Sequence, residues 1–113
     1  MEITERENNY ILTPLSPKLN ERESLRIAAE IENIKNGCSV SDIGLNMCCV
    51  QDCTIEFIKN ILSFDTISLF NIHSDIFALL ISMDLDKKLN LYVSESDFIQ
   101  KKHQLINRKF TLV

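Results

Sequence analysis

Strand-like and helix-like segments alternate along nearly the whole chain, and this constrains the fold more than any other feature. Glu2-Ile3-Thr4 and Tyr10-Ile11-Leu12-Thr13 flank the polar Arg6-Glu7-Asn8-Asn9, a hairpin-like opening. Pro14 and Pro17 end the second strand, since neither has an N–H to give a ladder. Asn20 followed by Glu23 is an N-cap signature. It opens a helix with Leu25, Ile27, Ala28, Ile31 and Ile34 on roughly one stripe and Gly37 as its C′ stop.

A short apolar run, Val40 to Met47, reads as a central strand, its strand-like character extending from Ile43 to Val50. Thr54 to Leu62 reads as a short helix that is apolar over most of its surface, and Thr66 to Asn71 as a strand. Ser74 to Met83 follows as a helix with Ser74 or His73 near its cap, then Leu89 to Val93 as a strand. Ser94-Glu95-Ser96-Asp97 opens a last helix through Phe98, Ile99, Lys102 and on towards Leu105. The order β-β-α-β-α-β-α-β-α predicts an α/β fold. It has a mostly parallel central sheet of about five strands, one of them an edge hairpin strand, packed with about four helices.

Length and charge narrow the function. The 113 residues fit one domain spanning 1–113, with a real core but no room for two. A net charge of −4 supplies no basic field to draw in nucleic acid. The densest basic stretch, Lys101-Lys102-His103 with Arg108-Lys109, reads as a solvated helix end. No apolar run approaches the roughly 18–20 residues that span a bilayer, and the acidic N-terminus lacks a signal-peptide core. A cytoplasmic protein with no direct membrane insertion is the expectation. Cys38, Cys48, Cys49 and Cys53 are then free thiols rather than disulfides. Their spacing lacks the paired C-x-x-C of a zinc site, so no metal or other cofactor is expected. Cys48 and Cys49 would point to opposite faces if their segment is a strand.

The chemistry concentrates at Asp52-Cys53-Thr54, where a strand gives way to a helix. A polar cluster there stands beside exposed backbone N–H groups. It can hold a phosphate, activate a thiol, or cap the helix, with Asp52 as the N-cap and Thr54 as a second capping hydroxyl. A Cys53 thiol at a helix N-terminus can be activated. No motif ties His73 or His103 to it as a base, however, and no arginine follows at the spacing of a cysteine phosphatase loop. An enzyme is not expected. His73 reads as an exposed loop histidine on the same sheet edge as Thr54 or as part of the rim of a partner surface with Asp52, Cys53 and Ile55, and Phe64 and Asp65 as a turn or part of that rim.

Three segments in this order resemble the STAS domain, the fold of sulfate transporters and anti-sigma-factor antagonists. Ile43 through Thr54 looks like the family's apolar strand, loop and Asp-Ser-Ser/Thr-Gly motif. Thr66 through Ile76 looks like its next strand running into a helix cap. Leu79 through Tyr92 resembles the helix end, the glycine-leucine-aspartate turn and the last strand, with Asp84 where glycine is usual. The likeness covers roughly Ile3 to Gln100. It implies a cytoplasmic, non-enzymatic regulator working through protein contacts, with an anti-sigma-factor kinase as partner and a phospho-acceptor in the motif. Asp52 matches the motif aspartate, Cys53 the first small polar position, Thr54 the second and Ile55 the glycine. Thr54 is therefore the one hydroxyl left to phosphorylate. Loss of the serine and glycine motivates the alternative, a constitutive STAS-type scaffold or subunit of a transporter or signalling complex.

Overall fold

The computed structural model describes residues 1–37, 42–64, 67–85 and 88–101. The expectations for Cys38, Val40, Ser41, Asp65, Thr66, Lys102, His103, Leu105, Arg108 and Lys109 lie outside those residues.

Two strands, β1 (Glu2–Arg6) and β2 (Asn9–Thr13), pair antiparallel with Arg6 opposite Asn9. Glu7 and Asn8 both take positive φ (52° and 68°), giving the two-residue turn whose twist suits a hairpin. Buried Asn9 holds the turn by donating from Nδ2 to the carbonyls of Arg6 and Glu7. The remaining strands are β3 (Lys18–Leu19), β4 (Asp42–Asn46), β5 (Asp52–Cys53), β6 (Ile67–Phe70) and β7 (Asn90–Tyr92). The helices are α1 (Glu21–Gly37), α2 (Ile55–Leu62), α3 (Ser74–Ser82) and α4 (Glu95–Gln100). The main sheet runs β1-β2-β4-β6-β7, parallel except for the β1–β2 edge pair. This is the expected α/β architecture.

Each parallel crossover steps the same way across the sheet, so right-handed connections lay α1, α2 and α3 on one face. Alternation along the strands sends Leu12, Ile43, Leu45, Ile67, Leu69 and Leu91 to that face. They pack there with Ile27 and Ile31 of α1, Phe57 and Ile61 of α2, and Ile76 and Leu80 of α3. The opposite face is smaller: Ile11, Phe70 and Tyr92 receive Phe98 of α4. Phe98 stacks on Phe70 with ring centres 5.4 Å apart and meets Tyr92 edge-on at 5.9 Å. Gly44 lies under that ring. A Cβ there would stand 2.8 Å from Phe98 and 3.0 Å from Phe70.

Both ends of α4 are tied down. Arg6 pairs with Glu95 at the start, and Lys101, in the left-handed conformation, ends the helix. The Lys101 ammonium donates to the Phe98 carbonyl at 2.8 Å, pairs with Asp42 at 3.2 Å and lies 3.9 Å over the Phe98 ring. Lys101 is exposed, as expected of a helix end, yet its ammonium is held by these partners, and the described helix stops at Gln100.

Several other details differ from expectation. Leu25 is 58% exposed, and buried Ser24 takes its place on the inner stripe of α1, where its hydroxyl accepts from Asn60 of α2. An i, i+3, i+4 reading cannot anticipate a polar residue satisfied by a neighbouring helix. Gly37 is still helical and has no positive φ, so it is not a left-handed C′ stop. The strand begun at Ile43 ends at Asn46, because Met47–Val50 closes as a turn (Val50 N–H to Met47 carbonyl, 3.0 Å).

Asp84 occupies its turn as the sequence implied. Its φ is 57°, and the Leu85 and Asp84 N–H groups donate to the carbonyls of Leu80 and Ile81 at 2.9 Å. This is the Schellman pattern, in which the left-handed position favours glycine. Asp84→Gly should raise stability by about 0.5–1 kcal/mol, read as a higher midpoint in urea at unchanged m. An unchanged or lower midpoint would count against the strain assigned to this turn.

Candidate functional site

The loop from β4 to α2 is built from backbone first. Pro17 offers its carbonyl to the N–H groups of Gln51 (2.7 Å) and Asp52 (3.1 Å), and Leu19 accepts from Thr54 at 3.0 Å. These bonds zip β3 to β5 in parallel, with Lys18 opposite Asp52 and Leu19 opposite Cys53. The loop before α2 is therefore clamped to the segment before α1. Two-residue strands carry no periodicity, so this pair was not legible in the sequence.

Asp52 does not cap α2. It lies in β5, exposed, and its carboxylate accepts from the Cys53 N–H at 2.9 Å. Thr54 is the N-cap: extended (φ −88°, ψ 163°) and half-buried, its Oγ1 accepts from the Phe57 N–H at 3.3 Å. The β3–β5 ladder moves the helix cap two residues past the aspartate. Ile55, the first helical residue, is 48% exposed beside it. Phe57, Ile58 and Ile61 turn inward and fix the axis.

Cys53 is buried, and burial, followed by the charge of Asp52, pushes its thiol up from 9.0 to about 11. The activated-thiol reading of this loop fails on that environment. Two consequences follow. The thiolate fraction near neutrality is about 100-fold below that of an ordinary thiol, so alkylation of Cys53 at pH 8 should be at least that much slower than for an unfolded control. The folded state also holds its proton where the unfolded state has lost it. Stability present below pH 9.0 should fall as pH rises towards 11, by roughly 2–3 kcal/mol at most, relative to a Cys53→Ala variant. A flat difference between the two variants across pH 8–11 would contradict the assignment.

The β6–α3 loop stands beside this one because β6 pairs with β4, Phe70 opposite Asn46. Both loops leave the C-terminal ends of parallel strands and so reach the same sheet edge. A polar clamp joins them. Asn71, left-handed at φ 55°, donates from Nδ2 to Asn46 Oδ1 at 3.0 Å, and Asn46 Oδ1 also accepts from the Cys48 N–H at 3.2 Å. His73 is the exposed N-cap of α3, its Nδ1 accepting from the Asp75 N–H at 3.2 Å. It shares the edge with Thr54, but among the described residues no hydrogen bond or ion pair joins it to Asp52, Cys53 or Thr54. Phe64 is half-buried, with the Lys35 ammonium 5.6 Å from its ring centre.

Sequence reasoning missed the Asn46–Asn71 clamp and the true setting of Cys48 and Cys49. Asparagines closing two successive parallel strands were the available signal for the clamp. The cysteines are not on opposite strand faces. They occupy the centre of the Met47–Val50 turn, exposed, with sulfurs 3.7 Å apart. Partial burial pushes the Cys48 thiol up, and the hydrogen bond and charge of Cys49 add to this. Among the described residues, no group of three or more His, Cys, Asp or Glu side chains is placed to hold a metal ion. None of their helices is long and apolar enough to cross a membrane.

No protein-family model matches the sequence, and no curated protein matches it significantly. Solved structures do match. A candidate anti-sigma factor antagonist of Thermotoga maritima superposes with a TM-score of 0.77 at 14% identity, over 88% of this chain and 92% of that one. The murine anion transporter Slc26a9 matches through 18% of its own length and 87% of this chain, with a TM-score of 0.68 at 19% identity. The Bacillus cell fate determinant SpoIIAA, in its phosphorylated form, matches at 0.58 and 12% identity over 88% of this chain and 96% of that one. These likenesses establish that the chain has the STAS-domain fold, shared with these structures.

Proposed function

We propose that this chain is a non-enzymatic, cytoplasmic regulatory module that acts through protein contacts in the manner of an anti-sigma-factor antagonist, with Thr54 as its phospho-acceptor. The observation that carries the reading is the position of Thr54. It is the N-cap of α2, on a loop held to β3 and to the neighbouring α3 loop, at an edge where Ile55 and His73 are exposed. A phosphate on Oγ1 would bring up to about two negative charges to a helix N-terminus, where free N–H groups and the dipole favour them. Little shape change is needed, because the charge itself alters the partner surface. Exposed Asp52, Ile55 and His73 complete that surface, whereas Cys53, expected there from the motif, is buried beneath it; the partner is a kinase-type anti-sigma factor.

A second reading has its own support. The Thr54 hydroxyl is already committed to the α2 cap and half-buried, and exposed Ile55 adds a permanently apolar contact beside it. Both features suit a constitutive subunit of a transporter or signalling complex. The readings separate on one experiment. Incubation with the cognate anti-sigma kinase and ATP should add about 80 Da, mapped to Thr54 and absent from Thr54→Val. A complex that persists with ATP and leaves the mass unchanged would replace the first reading with the second.

A further inference from the structure

The function proposed above makes no use of Cys48 and Cys49, yet both are exposed free thiols. Their turn is fixed from both sides. Met47 and Val50 are buried at its ends, Met47 donates to the Phe70 carbonyl at 2.9 Å, and Val50 closes on Met47. Asn46 Oδ1, held by Asn71, anchors the Cys48 N–H. The two sulfurs stand 3.7 Å apart on this base, and both cysteines line an open groove of about 680 Å³ together with Glu2, Thr13, Leu15 and Asn46.

That separation decides between two chemistries. A disulfide needs sulfurs about 2.05 Å apart and α-carbons usually 4.4–6.8 Å apart, whereas adjacent residues across a trans peptide have theirs only about 3.8 Å apart. Closing this pair would distort a turn that four hydrogen bonds hold. Two thiolates on one tetrahedral ion, each bond about 2.3 Å, have sulfurs about 3.8 Å apart. The pair already has that spacing. We propose that Cys48 and Cys49 form a chelating dithiol for a soft, thiophilic centre of the Zn²⁺ or trivalent-arsenic class. Among the described residues no further ligand completes the site. The centre therefore keeps its remaining positions for water or for substituents of its own.

Binding is a substitution without redox change. A dihydroxy organoarsenical, R–As(OH)₂, forms two As–S bonds, and its two hydroxyls leave with the two thiol protons as water; arsenic remains trivalent. Zn²⁺ exchanges two bound waters for two thiolates, and both protons go to solvent.

The test is maleimide labelling of the full chain with peptide mapping, after incubation with phenylarsine oxide or with Zn²⁺. Phenylarsine oxide should add once and protect Cys48 and Cys49 together, and excess 2,3-dimercaptopropanol should reverse it. Cys48→Ser and Cys49→Ser should each weaken binding by about 100-fold or more, because the second sulfur bond is intramolecular. Serine suits a turn, and far-UV circular dichroism confirms that each variant is folded. Cys53→Ser should bind as the wild type does. Protection by both probes assigns the site to metal cations, and protection by the arsenical alone assigns it to trivalent arsenic. Protection by neither, protection mapped to Cys38 or Cys53, or single-serine variants that keep wild-type affinity would overturn the proposal.

Discussion

Phe98→Ala should lower the unfolding free energy by about 3–5 kcal/mol, among the largest losses available to any single side chain here. Phe98 is fully buried, belongs to a helix of only six residues, and is the main apolar anchor of α4 on its face of the sheet. So short a helix has no independent stability, so losing the ring releases the element as well as opening a cavity. Gly44 gives the reciprocal test. Glycine in a strand is intrinsically unfavourable, so Gly44→Ala at an open site would stabilise. Here the new Cβ would lie 2.8 Å from the Phe98 ring, and overpacking should instead destabilise by about 1–3 kcal/mol. In the Phe98→Ala background the 2.8 Å contacts are gone and only the 3.0 Å approach to Phe70 remains, so Gly44→Ala should cost clearly less than it does in the wild type. Urea denaturation of the four proteins closes a double-mutant cycle. Additive losses would show that Gly44 does not make room for Phe98.

The second large effect is on binding. Thr54→Asp should weaken association with a kinase-type anti-sigma factor by about tenfold or more while leaving the fold intact. Aspartate is as good an N-cap as threonine, so it keeps the bond to the Phe57 N–H and adds a negative charge at the same place. Glutamate is the poorer mimic, because its longer side chain gives up the cap. Like-charge contacts at an interface cost several kcal/mol, and each 1.4 kcal/mol is tenfold in affinity. Thr54→Ala separates the two roles. It should cost about 1 kcal/mol of stability through the lost cap and leave affinity nearly unchanged. If alanine and aspartate weaken binding equally, the effect comes from helix fraying rather than charge.

The sheet was legible in the sequence because its strands and helices have different periods. Leu12, Ile43 and Leu45 alternate with residues of the other face, while Ile27, Ile31 and Ile34 recur at helical spacing. Asp84 was legible only as standing where the family's turn usually has glycine, and its φ of 57° supplies the physical reason for that glycine. What stayed hidden depends on contacts between distant segments. Both Asp52 and Thr54 read as capping groups, and Thr54 alone caps because Pro17 and Leu19 draw residues 51–54 into a parallel ladder. Leu25 and Ser24 exchange places because Asn60, far along the chain, satisfies the serine. Cys48 and Cys49 sit in a turn because Asn46 and Asn71 pin the strand end. Local pattern carries none of these.

The most direct measurement of the central claim is calorimetric titration of the anti-sigma-factor kinase with this chain, unmodified and then phosphorylated at Thr54. The account predicts a complex with the unmodified protein and at least about tenfold weaker binding after phosphorylation, with the melting temperature of the chain little changed. Equal affinity for the two forms would contradict it.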